Sequence, residues 1–155
     1  MIERSMRYED GQAVAVLEGD LNPTPWTEAM FLEELRLGSF CRVLTDEVGT
    51  VVGYLVARLL WDEWHLLLMG VAVGYQRRGW GHRLMREWMD HARKNVGRSL
   101  LLEVRRSNRS AIKLYSDFGF VTVGVRKKYY HGPHGSEDAW VMARPISSDD
   151  QERLF

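Results

Sequence analysis

The sequence predicts a mixed α/β fold, a central and mostly antiparallel sheet with helices on both faces, and three observations carry that expectation. Its 155 residues suffice for one ordinary core and not for two. Strand-like apolar segments follow one another through residues 41–73 with short polar connections, which reads as a meander of strands. From residue 64 onward strand-like and helix-like segments alternate, as a strand-helix-strand unit does.

Residues 2–8 read as a first strand and 10–21 as a helix with Ala13, Val14, Val16 and Leu17 on its inner side. Asn22-Pro23-Thr24-Pro25-Trp26 ends that helix, because each proline lacks a donor and restricts the residue before it. Thr27 caps a second helix, which runs to about Leu37 and stops at Gly38. Strands at 41–45 and 50–60 are joined by Asp46-Glu47-Val48-Gly49, a hairpin-type connection. The strand at 64–73 is nearly all apolar, the pattern of burial on both faces.

After an interruption at 74–81, Leu84, Met85, Trp88, Met89 and Ala92 recur at helical spacing in a long helix that ends near Gly97. A short buried strand at 99–104 ends close to a carboxylate. The next helix starts at Ser107-Asn108, carries Ala111, Ile112, Leu114, Tyr115 and Phe118, and is closed by Gly119. Strands at 120–130 and 139–146, joined by a loop of glycine, proline and histidine, complete one domain over residues 1–146. Residues 147–155 read as a polar tail. The chain contains no internal repeat and no low-complexity tract.

Hydrophobic residues at 45% and charged residues at 27% exclude a disordered, collagen-like or coiled-coil chain. The longest apolar runs are far shorter than a membrane span, and residues 1–4 begin no secretory signal, so the expected compartment is the cytoplasm. A lone cysteine, Cys41, leaves no internal disulfide and no cysteine-based zinc site. The zero net charge hides a strong division: residues 76–128 carry 14 bases and 4 acids, while the segments on either side are acidic. Such a chain is not a general polyanion binder, but it can present a local site for an anion.

The most informative stretch is Gln76-Arg77-Arg78-Gly79-Trp80-Gly81-His82-Arg83, a basic, glycine-containing turn between an apolar strand and a long helix, with no acid among residues 76–83. Backbone N–H groups at a helix start lack intrahelical acceptors and can together hold a pyrophosphate. Gly79 and Gly81 let the backbone approach such a ligand, and the arginines add countercharge. On the residues alone, a solvated loop remains the alternative.

Gln76-Arg77-Arg78-Gly79-Trp80-Gly81 resembles the Q/R-x-x-G-x-G/A signature with which GCN5-related N-acetyltransferases bind the pyrophosphate of acetyl-coenzyme A. Leu102-Glu103-Val104-Arg105, Ser107-Asn108, Ala111-Ile112, Leu114-Tyr115 and Gly119-Phe120 resemble the second half of the same fold. Pro25-Trp26, Tyr129-Tyr130, Glu137-Asp138-Ala139, Met142-Ala143 and Pro145-Ile146 are similar to the RimI-type branch, the bacterial ribosomal-protein N-terminal alanine acetyltransferases. The likeness covers roughly residues 1–146.

The resemblance implies acetyl-coenzyme A as co-substrate, with no metal. It implies Glu103 as general base, through water, and Tyr115 as general acid toward the departing thiolate. Desolvation is expected to raise the Glu103 pKa toward the working range. The alternatives are a salt bridge from Glu103 to Arg105 or Arg106 and a core tyrosine at 115. Asn108 reads as an N-cap, and the resemblance adds contact with the pantetheine arm. The backbone of Met69, Gly70 and Val71 is implied to pair with that arm like an added strand, with Gly70 near a bulge.

Trp26, Tyr129, Tyr130 and Asp138 are implied to bind the acceptor, a protein or peptide amino terminus and, within the RimI-type branch, a ribosomal protein. The bland readings are strand tyrosines, a helix-stapling Trp26 and loop acids at Glu137 and Asp138. His131 and His134 lack a third ligand for a metal. Two positions depart from the family pattern: Val73 replaces a usual proline, and Leu68 replaces a polar residue. A small-molecule amine or a lysine side chain is the alternative acceptor. A coenzyme A-responsive or nucleic-acid-binding module is the alternative without catalysis.

Overall fold

The computed structural model describes residues 1–146, so the polar tail expected at 147–155 lies outside the described residues. Among the described residues four α-helices and seven strands follow in the expected order: β1 (Ile2–Ser5), α1 (Gly11–Leu21), α2 (Glu28–Arg36), β2 (Phe40–Thr45), β3 (Val51–Leu60), β4 (Glu63–Val71), α3 (Trp80–Lys94), β5 (Ser99–Arg105), α4 (Arg109–Asp117), β6 (Val121–Gly132) and β7 (Gly135–Pro145). Hydrogen bonds join the strands in the order β1-β2-β3-β4-β5-β7-β6. The fold class is therefore the expected mixed α/β sheet. Two compact units make up the chain, Met1–Arg58 with Leu67–Trp88, and Leu59–Leu66 with the chain from Met89 on.

In the first unit, β1 and β3 both run antiparallel to β2. The first strand ends at Ser5, short of the expected residue 8. Asp10 accepts the Arg7 N–H at 2.7 Å and pairs with Arg4 at 2.7 Å, which winds Tyr8–Asp10 into a 3-10 turn. The inner face of α1 is Val14, Leu17 and Glu18, while Ala13 and Val16 are exposed. A stripe that starts at Val14 reaches 17, 18 and 21, so positions 13 and 16 fall outside it. Val14 and Leu17 join Met6, Phe31, Cys41, Val43, Tyr54 and Val56 in one core. Thr27 caps α2 as expected, accepting the Met30 N–H at 3.4 Å. In the β2–β3 connection, Asp46 Oδ1 accepts the N–H groups of Val48 and Thr50, and Gly49 takes φ 90°.

Strand β4 stops at Val71, and its residues Leu67–Val71 are half-exposed instead of buried on both faces. Val73 leaves the strand for an exposed 3-10 turn, Val73–Tyr75. That turn forms without the family's proline, because the Tyr75 N–H reaches the Ala72 carbonyl at 2.8 Å. Leu68 packs against the core of this unit.

In the second unit, the start of β4 pairs in parallel with β5, from Glu63 beside Ser99 to Leu66 beside Leu102. Strand β5 is antiparallel to β7, and β7 to β6. Burial along β5 alternates: Leu100, Leu102 and Val104 are buried, whereas Leu101, Glu103 and Arg105 share the opposite, more open face. The short strand expected to be buried is thus buried on one side. The loop expected across residues 131–138 is mostly hairpin. Strand pairing continues to Gly132 beside Gly135, leaving Pro133-His134 as a two-residue turn, and φ 107° at Gly135 is a conformation open to glycine.

Candidate active site

Each of the two units carries some of the candidate residues. In the first, the turn between β4 and α3 is built by its own backbone. Arg77 (φ 61°) and Gly79 (φ 86°) both occupy the left-handed region. A Cβ on Gly79 would meet nothing within 4 Å, so the requirement there is conformational. The Arg83 N–H closes the first turn of α3 on the Gly79 carbonyl at 3.0 Å. Trp80, Gly81 and His82 lie in that first turn, where N–H groups precede the intrahelical ladder.

The Gln76 side chain donates to the Val71 carbonyl at 2.8 Å, tying the loop to the end of β4, and the Arg78 guanidinium lies 5.9 Å from the Tyr75 ring centre. Exposed Arg77, Arg78 and Arg83, with no acid among residues 76–83, suit a pyrophosphate, and the residues present fit acetyl-coenzyme A. On β4, Met69, Gly70 and Val71 are half-exposed, and a Cβ at Gly70 would lie 2.5 Å from the Tyr54 hydroxyl. Trp26 is half-buried in the α1–α2 connection, its ring 5.4 Å from Phe31.

In the second unit, Glu103 stands on the open face of β5. Register places Val141 beside both Glu103 and Gly124, and Ala139 beside both Arg105 and Arg126, so these side chains share one face. Arg126 Nε lies 3.1 Å from Glu103 Oε1, and the Glu103 side chain is 22% exposed. Neither Arg105 nor Arg106 holds Glu103: Arg105 pairs with Glu137 at 3.7 Å, and the Arg106 N–H donates to the Asp138 carbonyl at 3.1 Å. The ion-pair partner of Glu103 is therefore Arg126, and not the Arg105 or Arg106 of the alternative reading.

The Tyr129 phenol is hydrogen-bonded to Glu103, which, with burial, pushes its pKa up against the opposing pull of Arg126. Tyr130 is pushed up to about 12, chiefly by burial and then by Glu103. The two rings meet edge to face at 5.1 Å. Arg105 lies over Tyr130 at 4.2 Å and Arg126 over Tyr129 at 5.3 Å, each a cation–π contact. One register irregularity and Lys128 at φ 51° turn the chain between Arg126 and Tyr130, and a second irregularity lies between Thr122 and Gly124.

Tyr115 is buried on α4 with its ring 6.2 Å from Phe120, and burial followed by Tyr130 drives its pKa upward, so its phenol keeps its proton. Asn108 is the α4 N-cap, accepting the Ala111 N–H at 3.2 Å. Glu137 accepts the Ser107 N–H at 2.7 Å and Asp138 the Lys128 N–H at 2.9 Å; the Glu137 carboxyl is held below its usual range first by the Ser107 side chain and then by that N–H, and the Asp138 carboxyl mainly by the Lys128 N–H. His131 Nδ1 lies 3.1 Å from Ser136 Oγ in the hairpin. The sequence reading missed Arg126 as the partner of Glu103. No local pattern marks it, because the pairing depends on the register of β5, β7 and β6.

Residues 7–120 match the Acetyltransferase (GNAT) family. The chain is 34% identical over 143 residues to the [Ribosomal protein bS18]-alanine N-acetyltransferase of Escherichia coli K12, covering 92% of this chain and 96% of that protein. It is 38% identical over 141 residues to N-alpha-acetyltransferase RimI of Mycobacterium tuberculosis, covering 87% and 86%. The crystal structure of the Escherichia coli ribosomal-protein-S18-alanine N-acetyltransferase superposes with a TM-score of 0.87 over 94% of each chain, at 33% identity. With its fold, its glycine-arginine turn and these likenesses in agreement, the chain belongs to the GNAT family of acetyltransferases.

Proposed function

We propose that this protein is a cytoplasmic, RimI-type enzyme that transfers acetyl from acetyl-coenzyme A to the α-amino group of a protein amino terminus, with an alanine-led ribosomal protein as its target. The observation that carries the reading is the Glu103 carboxylate set between Arg126 and Tyr129 on the open face of β5. Relatives acting on bS18 alanine or named N-alpha-acetyltransferase, similar over most of the chain, supply the acceptor class. Residues 1–146 would form the acetyltransferase domain.

Gln76 to His82 would hold the pyrophosphate with their N–H groups and arginines, while the β4 backbone at Met69, Gly70 and Val71, together with Asn108, would meet the pantetheine arm. When bound, acetyl-coenzyme A supplies a thioester-activated acetyl group. Trp26 in the first unit would contact the acceptor, and in the second unit Tyr129, Tyr130 and Asp138 would do so, with Asp138 holding the Lys128 N–H. Glu103 Oε1 or Oε2 would take the proton of the acceptor ammonium through water, freeing the nitrogen to attack. As the new C–N bond forms and the C–S bond breaks, Tyr115 Oη would give its proton to the departing sulfur, the second proton of the acylated nitrogen would leave to water, and water would restore the phenol.

Mass spectrometry of a peptide-library reaction with acetyl-coenzyme A tests the proposal. Acetyl groups on α-nitrogens, enriched on alanine-led peptides, are expected. Acetylation of lysine side chains or of small amines alone would replace the peptide amino terminus as acceptor, and no acetyl transfer to any nitrogen would end the enzymatic reading.

A further inference from the structure

Glu18 is only 1% exposed, yet among the described residues its hydrogen-bond donors are all neutral. Its Oε1 accepts the Tyr54 hydroxyl at 2.8 Å. Its Oε2 accepts the Trp26 backbone N–H at 2.8 Å and the Asn22 side chain at 3.5 Å. A buried carboxylate costs much to bring out of water, so both oxygens must be satisfied for this arrangement to persist.

The same residues are linked a second time through their rings. Trp26 packs on Phe31 at 5.4 Å, and Phe31 meets Tyr54 edge to face at 5.9 Å. Backbone and ring of Trp26 are thus both fastened, although the connection around it contains two prolines and no regular structure. The Tyr54 phenol also lies against β4: a Cβ at Gly70 would meet its oxygen at 2.5 Å and Leu21 Cδ1 at 2.9 Å.

We infer that Glu18 is a positioning residue which, by accepting the Trp26 N–H, fixes the α1–α2 connection as a rigid wall for the acceptor. This rests on the reading of Trp26 as an acceptor contact. An amide in place of the carboxylate would offer one oxygen where two donors require two. Its own NH₂ would then face either the Trp26 N–H or the Tyr54 hydroxyl, and the connection would loosen.

The test combines amide hydrogen exchange with kinetics on an alanine-led peptide. In the parent, the Trp26 amide is expected to be protected; fast exchange there would overturn the inference without any variant. Glu18→Gln should speed that exchange and raise the peptide KM roughly tenfold, the loss of about one hydrogen bond to a charged acceptor, while kcat and the acetyl-coenzyme A KM stay within about twofold.

Tyr54→Phe also removes a buried hydrogen bond but keeps the Trp26 N–H on Glu18. It should lower the melting temperature yet leave Trp26 protected and the peptide KM within about twofold. An unchanged peptide KM in Glu18→Gln, or an equal rise in Tyr54→Phe, would overturn the inference in favour of general core stability. If the parent acetylates no peptide amino terminus while Glu18→Gln still frees the Trp26 amide, the acceptor reading fails and the anchoring of the connection stands.

Discussion

Arg126 Nε lies 3.1 Å from Glu103 Oε1, so the carboxylate proposed to take the acceptor's proton already has a guanidinium as neighbour, reached across β7. The acceptor ammonium would enter beside a resident cation. The pair can thus hold the carboxylate's orientation while remaining open enough to admit water.

Two substitutions separate chemistry from structure at this pair. Glu103→Gln should keep the fold, since shape and burial hardly change, while kcat/KM falls by roughly 10²–10⁴-fold at neutral pH. The Arg126 side chain is 55% exposed, so the ion pair adds at most about 1 kcal/mol to stability. Arg126→Gln should accordingly leave the melting temperature within a few degrees of the parent's and cost roughly fivefold in kcat/KM through looser orientation of Glu103. Steady-state kinetics beside thermal melts check both. A Glu103→Gln variant that loses stability but not activity would make the carboxylate structural.

At Tyr115, phenylalanine preserves the packing with Phe120 and removes only the hydroxyl. Acetyl-coenzyme A affinity should be unchanged and turnover should fall by roughly tenfold or more, because the departing thiolate loses its proton donor. Single-turnover rates beside cofactor titration distinguish this from a core tyrosine, whose loss would show in the melting temperature and not in the rate.

In the β4–α3 turn, two glycines should fail differently. Gly79→Ala forces a Cβ into φ 86°, costing about 1–2 kcal/mol and lowering the melting temperature of the free protein. Gly81→Asp places a carboxylate in the first turn of α3, where it suits the helix but repels a pyrophosphate. The free Gly81→Asp protein should therefore melt no lower than the parent while losing its stabilisation by acetyl-coenzyme A. Thermal shift with and without the cofactor reads both outcomes.

Stability should decline in alkali. Burial pushes the Cys41 thiol up to about 11, Tyr130 up to about 12, and Tyr54 and Tyr115 upward as well. Each folded group holds its proton more tightly than the unfolded chain does. The stability it lends is complete below its ordinary pKa and is lost as pH rises toward the folded one. The decline should begin near pH 8.5 with Cys41 and steepen above about pH 10 with the tyrosines. Melting temperatures across this range test the sign, and Cys41→Ala should flatten the first part.

Features that depend on a few neighbouring residues were legible in the chain: the Thr27 and Asn108 caps, the Gly119 helix stop, the helical spacing from Leu84 to Ala92, and the basic glycine turn. Helix periodicity, capping and turn chemistry act over four residues or fewer, so local order suffices to write them. Pairing at a distance is different. Arg126 meets Glu103 only because β7 brings both into register, and Glu18 is buried only because Tyr54 and Trp26 come to its two oxygens. Such contacts join residues 8 to 36 positions apart, and what selects them is the simultaneous satisfaction of register, burial and hydrogen bonding, which exists only once the chain has folded.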